Sequence, residues 1–241
     1  MLSRGLEGWV FILATASIAM DSALSTASFG LCYGLLVFHK MVSAVTSESS
    51  FHVVGPEVAA VAVWTVKKYI FFLFMETIIC TMVFSTVLVY FRADICYLVI
   101  SDEELRDVSI DALAYHFPAL GFWISIHYFL KSITIFLHRG KDALYSILPF
   151  IVFGYPTIYY SVIQTKDGVD GLTIGLVFAL TCSCVLLLIL LLFVYKWQRL
   201  VEGIVEKQHQ NELRIKQETM SYGTVIEDKK VRKKNNNNLE V

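Results

Sequence analysis

Four ionisable side chains, Asp21, Glu76, His127 and Lys131, fall inside long apolar stretches of this 241-residue chain. A charge at membrane depth costs several kcal/mol unless it is paired or wet, so each needs a partner or a function. Glu76 lies about seven residues into the second stretch and Lys131 about seven from the end of the third. At ~1.5 Å per residue the two reach the same depth, and the reading predicts an ion pair. Asp21 sits about a turn away, where it competes for Lys131 or stays protonated. His116, His127 and His138 recur every eleven residues, close to three helical turns, which stacks them on one face with Lys131 and Thr134. Read sharply, that face is a polar seam that relays protons or lines a pore. Read economically, only His127 and Lys131 need neighbours, because buried polar groups in bundles mostly hydrogen-bond to adjacent helices.

Catalytic chemistry finds no foothold. Histidines eleven apart stand about 16 Å from one another along a helix and cannot share one metal. Cys182 and Cys184 lack the spacing of a zinc knuckle. No phosphate-binding glycine loop and no Ser/His/Asp arrangement is present. The expectation is no catalytic residue, no metal and no cofactor. Of five cysteines, only Cys96 falls in a predicted outer loop, so no disulfide framework is available, and no N-glycosylation sequon occurs.

The elements that hold these residues are five apolar stretches, over 9–38, 69–91, 117–137, 143–163 and 172–195, each near or above the ~20 residues a crossing helix needs. With 56% hydrophobic and 17% charged residues, the composition departs from that of a soluble domain. The predicted fold is all-α, a polytopic transmembrane helix bundle of about five spans, or four if Arg4 and the Trp9–Met20 core form a cleaved signal peptide. Residues 1–196 form the transmembrane domain. Residues 197–241 begin as a cytosolic amphipathic helix carrying Trp197, Leu200, Val201, Ile204 and Val205, then become a flexible charged tail.

Basic residues set the orientation. Lys40, Lys67, Lys68, Arg139, Lys141 and ten in the last 46 residues lie on one side, against four (Arg4, Arg92, Arg106 and Lys166) on the other. The N-terminus is thus expected exoplasmic and the C-terminus cytosolic. In the first stretch Ser22, Thr26, Gly30 and Gly34 form a small-residue stripe, with Thr15, Ala19, Ala23 and Ala27 beside it. The stripe is expected to pack against the chain's own helices, a dimer face being the alternative. Gly154-Tyr155-Pro156 predicts a kink in the fourth span. Ser101-Asp-Glu-Glu104 has the form of a capping box and predicts a short surface helix that lays Leu105, Val108 and Ile110 on the membrane. Val58–Val66 is too short to span and reads as an interfacial helix or an extension of span two.

Two tail patterns invite cytosolic readers. Tyr222-Gly-Thr-Val225 resembles a tyrosine-based sorting signal taken up by adaptors, and Leu239-Glu-Val241 resembles a PDZ-binding terminus. Lys229–Lys234 is a basic run suited to anionic lipid. The leading functional reading is a non-catalytic multi-pass protein of the plasma membrane or endomembranes, acting in assembly, trafficking or organisation of a membrane complex. Its partners would be the lipid bilayer, other membrane proteins or further copies of itself, and a PDZ or adaptor protein, with no nucleic acid. The rival is a small ion or proton channel or transporter component whose polar path runs through Asp21, Glu76, His127 and Lys131. The charge count makes one outcome specific: a glycosylation acceptor appended after Val241 should stay unmodified in cells, and modification would invert the map.

Overall fold

The structure is a computed structural model and describes residues 12–19, 22–207, 209, 210, 213 and 215. Among the described residues there is no strand. The helices are α1 (12–19), α2 (Ala23–Ala59), α3 (Val63–Tyr90), α4 (Arg92–Val99), α5 (Glu103–Phe136), α6 (Gly140–Tyr145), α7 (Tyr155–Tyr159), α8 (Gly168–Ile189) and α9 (197–207). Single π-helical turns, Phe150–Gly154, Tyr160–Gln164 and Leu190–Val194, flank α7 and extend α8. Five helical stretches are long and apolar enough to cross a bilayer: Ala23–Ala59, Val63–Tyr90, Glu103–Phe136, Gly140–Gln164 and Gly168–Val194. The chain is an all-α, multi-pass membrane bundle.

The first apolar stretch corrects the expectation of one span over 9–38. Ser22 has extended backbone (φ −155°, ψ 156°), and its Oγ accepts a 3.0 Å hydrogen bond from Ser25 N–H, so it caps a new helix. Before that break, Leu13 and Ala14 line a cavity of about 260 Å³ with Phe150, Gly154 and Ile158. α1 therefore packs beside the fourth span instead of continuing the axis of α2. Hydropathy is blind to this cap because the surrounding serines and alanines are neither strongly apolar nor charged.

α2 also runs far past Phe38, reaching Ala59, about 55 Å at 1.5 Å per residue. The serine-rich continuation reads as a loop, yet its hydroxyls are satisfied inside the helix. Ser43 donates to His39 O (2.9 Å), Ser47 to Ala44 O (2.9 Å) and Ser50 to Thr46 O (2.8 Å). Lys40 consequently lies within a helix, where it donates to Tyr33 OH at 2.8 Å, and not in the expected loop. Of Val58–Val66, the last four residues extend the second span as the first turn of α3, and residues 60–62, with Val61 at φ 55°, make the tight turn from the end of α2 in place of an interfacial helix.

The surface helix expected after Ser101 and the third span are one element. Asp102 supplies the cap, its Oδ1 accepting from Leu105 N–H at 2.8 Å, and α5 continues unbroken through Pro118 to Phe136. Leu105 and Ile110 pack against the core. In the fourth span the kink appears as a change of helical register: the π turn Phe150–Gly154 ends directly before Tyr155-Pro156.

Two apolar clusters fill the bundle. Phe29, Phe117, Leu120, Leu172 and Leu176 belong to one, and Phe129, Ile133, Leu187, Val201 and Ile204 to the other. α9 contributes Val201 and Ile204, so the first turns after the last span are packed into the bundle.

Small residues set the closest helix contact, but on a different helix from the one the sequence singles out. Gly171, Gly175 and Ala179, four apart on α8, face the fourth span. A Cβ at Gly175 would stand 2.5 Å from Ile158 Cγ1 and 3.0 Å from Ile158 N. Gly30 and Gly34 are exposed, with nothing within 4 Å of a built Cβ. The Gly30 and Gly34 end of that stripe does not pack against any described residue. Gly175→Ala should therefore cost about 1–3 kcal/mol through overpacking, seen as a lower melting midpoint in detergent, whereas Gly34→Ala should leave the midpoint within error.

Candidate functional site: buried polar groups around α5

α5 is the central column, with two polar faces. Toward α2 it presents Gly121 and Ser125. The His39 ring of α2 lies so close to Gly121 that a Cβ there would come within 2.7 Å of it. This is a place where only glycine leaves room. Ser125 Oγ donates to His39 O at 3.1 Å, His39 Nε2 and Ser85 Oγ of α3 stand 3.0 Å apart, and the ring meets Phe84 edge-on at 4.7 Å between centroids. His39 is wholly buried, and its Nδ1 has no hydrogen-bond partner among the described residues.

Hydroxyls continue this junction along the bundle. Ser28 and Ser109 Oγ are 3.1 Å apart between α2 and α5, and the Thr46 and Thr77 hydroxyls are 3.1 Å apart between α2 and α3. Thr77, Thr81 and Ser85 recur every four residues on the inner side of α3. The result is a polar column between three helices, surrounded by apolar side chains.

The second face carries His127 and Lys131, one turn apart and only 3% and 4% exposed. The His127 ring approaches Phe150 of the fourth span at 6.0 Å, tilted by 69°. Thr134 completes the face, its hydroxyl donating to Leu130 O. Of the histidine seam, His116 reaches Asp170 of α8 at 3.3 Å on the far rim, and His138 lies beyond the end of α5 with φ 57°. Only His127 is buried among the three.

Glu76 does not join this group. It lies exposed on the outer side of α3 and makes no ion pair or hydrogen bond with a described residue, so the depth-matched pair with Lys131 does not form. Depth comes from counting along a helix, but facing direction depends on rotation, which the uniformly apolar α3 does not reveal. Of the stripe, Ser22 and Thr26 are half-buried. Asp21 and the tail positions Tyr222, Val225, Leu239 and Val241 lie outside the described residues. No group of three or more metal-ligating side chains occurs among the described residues.

Sequence reasoning missed His39. It sits one residue from Lys40 in a stretch read as a loop, and its signal was available: Ser43, Thr46, Ser47, Ser50 and Val54 follow it at helical spacing on one buried face.

At the end of the bundle that carries Lys67, Lys68 and Arg139, a polar clasp joins the α5–α6 turn to the end of the fifth span. Tyr195 OH and Arg139 Nε each donate to Asp142 Oδ2 at 2.8 Å, and the guanidinium lies 5.2 Å from the Tyr195 ring centre. Burial, then the bond to Asp142, pushes the Tyr195 phenol above its ordinary value, and the Asp142 hydrogen bond raises Arg139. A raised phenol contributes stability that is complete below the ordinary tyrosine value near 10 and is lost only as pH climbs through the folded value. Tyr195→Phe should lower stability by about 1–2 kcal/mol. The melting midpoint near neutral pH reads that loss, and an unchanged midpoint in Tyr195→Phe would refute the clasp.

No known protein-family profile and no curated protein sequence matches this chain. Among solved structures, the crystal structure of the eukaryotic MATE transporter AtDTX14 is similar over 84% of this chain, with a TM-score of 0.65 at 17% sequence identity. The match covers 44% of that transporter, so this chain spans less than half of its length. The likeness is one of fold: the bundle has the architecture of part of a helical membrane transporter.

Proposed function

We propose that this bundle is a component of a membrane transporter or ion pathway, in which α5 carries the groups that respond to the transported ion or solute. The observation that carries the reading is the fold, since nearly the whole chain aligns with less than half of a MATE transporter. A transporter of that kind works by moving one bundle against another around a site near mid-membrane. A second bundle would complete the path.

Three buried titratable groups support the reading. His39, His127 and Lys131 all sit on inner surfaces of the bundle and within long crossing helices. Intramembrane ionisable residues mark proton relays and ion paths more often than inert packing. His127 and Lys131 are the pair we assign to the path, with His39 and its hydroxyl column beside them. Glu76, exposed on the outer side of α3, is not needed for it.

Assembly of a membrane complex is the second reading, and it rests on uncovered surface. The open Gly30–Gly34 edge and the exposed Glu76 carboxylate both suit a partner helix. The adaptor and PDZ elements of that reading rest on the tail motifs alone. In either reading the basic end of the bundle and the C-terminus are cytosolic.

Reconstitution separates the two. Wild-type protein in liposomes should carry a proton or cation flux above that of empty vesicles, and Lys131→Met should reduce it at least tenfold while melting and abundance stay near wild type. A wild-type flux equal to the empty-vesicle leak, with Lys131→Met lowering abundance only, would overturn transport in favour of assembly.

A further inference from the structure

A cavity of about 400 Å³ opens between α3, α5, α8 and α9 at the basic end of the bundle. Its floor is Phe129 and Ile133 of α5, and its walls are apolar side chains of α3 and α8 such as Phe74 and Leu191. At its mouth stand Lys67 and Lys68, both exposed, with Trp64 and Trp197. The Lys67 ammonium lies 5.5 Å from the Trp197 ring centre and that of Lys68 5.8 Å from Phe72. Neither lysine forms an ion pair with a described residue.

An apolar hollow offers water almost no hydrogen-bond partners, so water is a poor occupant. Hydrocarbon is available instead, because the walls continue into side chains exposed on the outside of the bundle, Phe71 and Leu192. Two ammonium groups lacking a carboxylate, set at the end of that hollow, match a phosphate. Tryptophans beside them suit the headgroup level of a bilayer. Basic pockets between membrane helices on the cytoplasmic side are known to hold anionic lipid headgroups.

We propose that this cavity binds one anionic phospholipid, with an acyl chain along Phe74, Phe129 and Ile133 and the headgroup phosphate on Lys67 and Lys68. The lipid would fill the groove between α3 and α8 and link α9 to both. It is a site apart from the polar groups of α5, and it stands or falls independently of the transport reading.

The test uses the full-length protein in mild detergent, with three separate additions: dioleoyl phosphatidylglycerol, dioleoyl phosphatidylcholine and inorganic phosphate. Retained lipid is counted by native mass spectrometry and stability by the melting midpoint. Phosphatidylglycerol should be retained as one molecule and raise the midpoint by several degrees, with phosphatidylcholine retained at least fivefold less and phosphate without effect. The Lys67→Gln/Lys68→Gln variant changes only exposed groups and should fold normally but lose the preference for the anionic lipid. Leu130→Trp, which fills the floor, should lose retention of both lipids. Equal retention of the two lipids, a preference surviving in the double lysine variant, or a midpoint shift reproduced by phosphate alone would overturn the proposal. So would undiminished lipid retention by folded Leu130→Trp.

Discussion

Inside hydrocarbon no water is available, so every polar group must find its partner within the protein. That constraint explains why α2 can cross the membrane with a serine-rich half. Its hydroxyls turn back onto carbonyls three or four residues earlier, and the helix runs from Ala23 to Ala59, with Pro56 near its end the one residue lacking an N–H to donate. At two helix ends a specific group intervenes. Trp197 Nε1 donates to Leu191 O at 2.9 Å where the fifth span ends, and Ser22 closes the start of α2. The same rule places His39 beside Ser85, because an imidazole at that depth requires a hydroxyl within reach.

α5 converts those local solutions into one bundle. One side meets α2 through a glycine, a serine and an imidazole, and the other meets the fourth span through His127 and Phe150. Polar contact joins α2, α3 and α5, whereas close backbone approach joins the fourth span to α8 at Gly171, Gly175 and Ala179. The first kind of joint depends on hydroxyl and imidazole hydrogen bonds, the second on shape alone. A bundle built this way has one half whose cohesion responds to chemistry and another whose cohesion does not.

Much of the architecture could be read from hydropathy, which marks apolar stretches at 69–91, 143–163 and 172–195 within a few residues of the observed helices, while 117–137 covers only the later part of Glu103–Phe136. The likeness to a transporter fold had no sequence counterpart, since 17% identity leaves no shared motif to quote. The failures share a cause. Single-sequence patterns report how apolar a position is, and they do not report which way a helix is rotated or what a neighbour offers. Glu76 faces the outside of the bundle, which counting along a helix does not reveal. The Gly30–Gly34 stripe has the proper spacing for close packing, but the packing partner met α8 instead. Residues 39–59 look like a loop because their hydroxyls count as polar even when the helix itself satisfies them. His127 and Lys131 were legible because a charge in an apolar run is conspicuous without knowledge of its surroundings.

The wide turns around α7 have a further geometric effect. Each inserts one extra residue per turn relative to an α-helix, and so advances the following side chains by about 100° around the axis. Beyond Phe150–Gly154, the fourth span presents a different set of residues to its neighbours than an uninterrupted coil would. Losing one residue within Phe150–Gly154 would restore ordinary winding, whereas losing Tyr155, Pro156 or Thr157 would turn Ile158 away from Gly175.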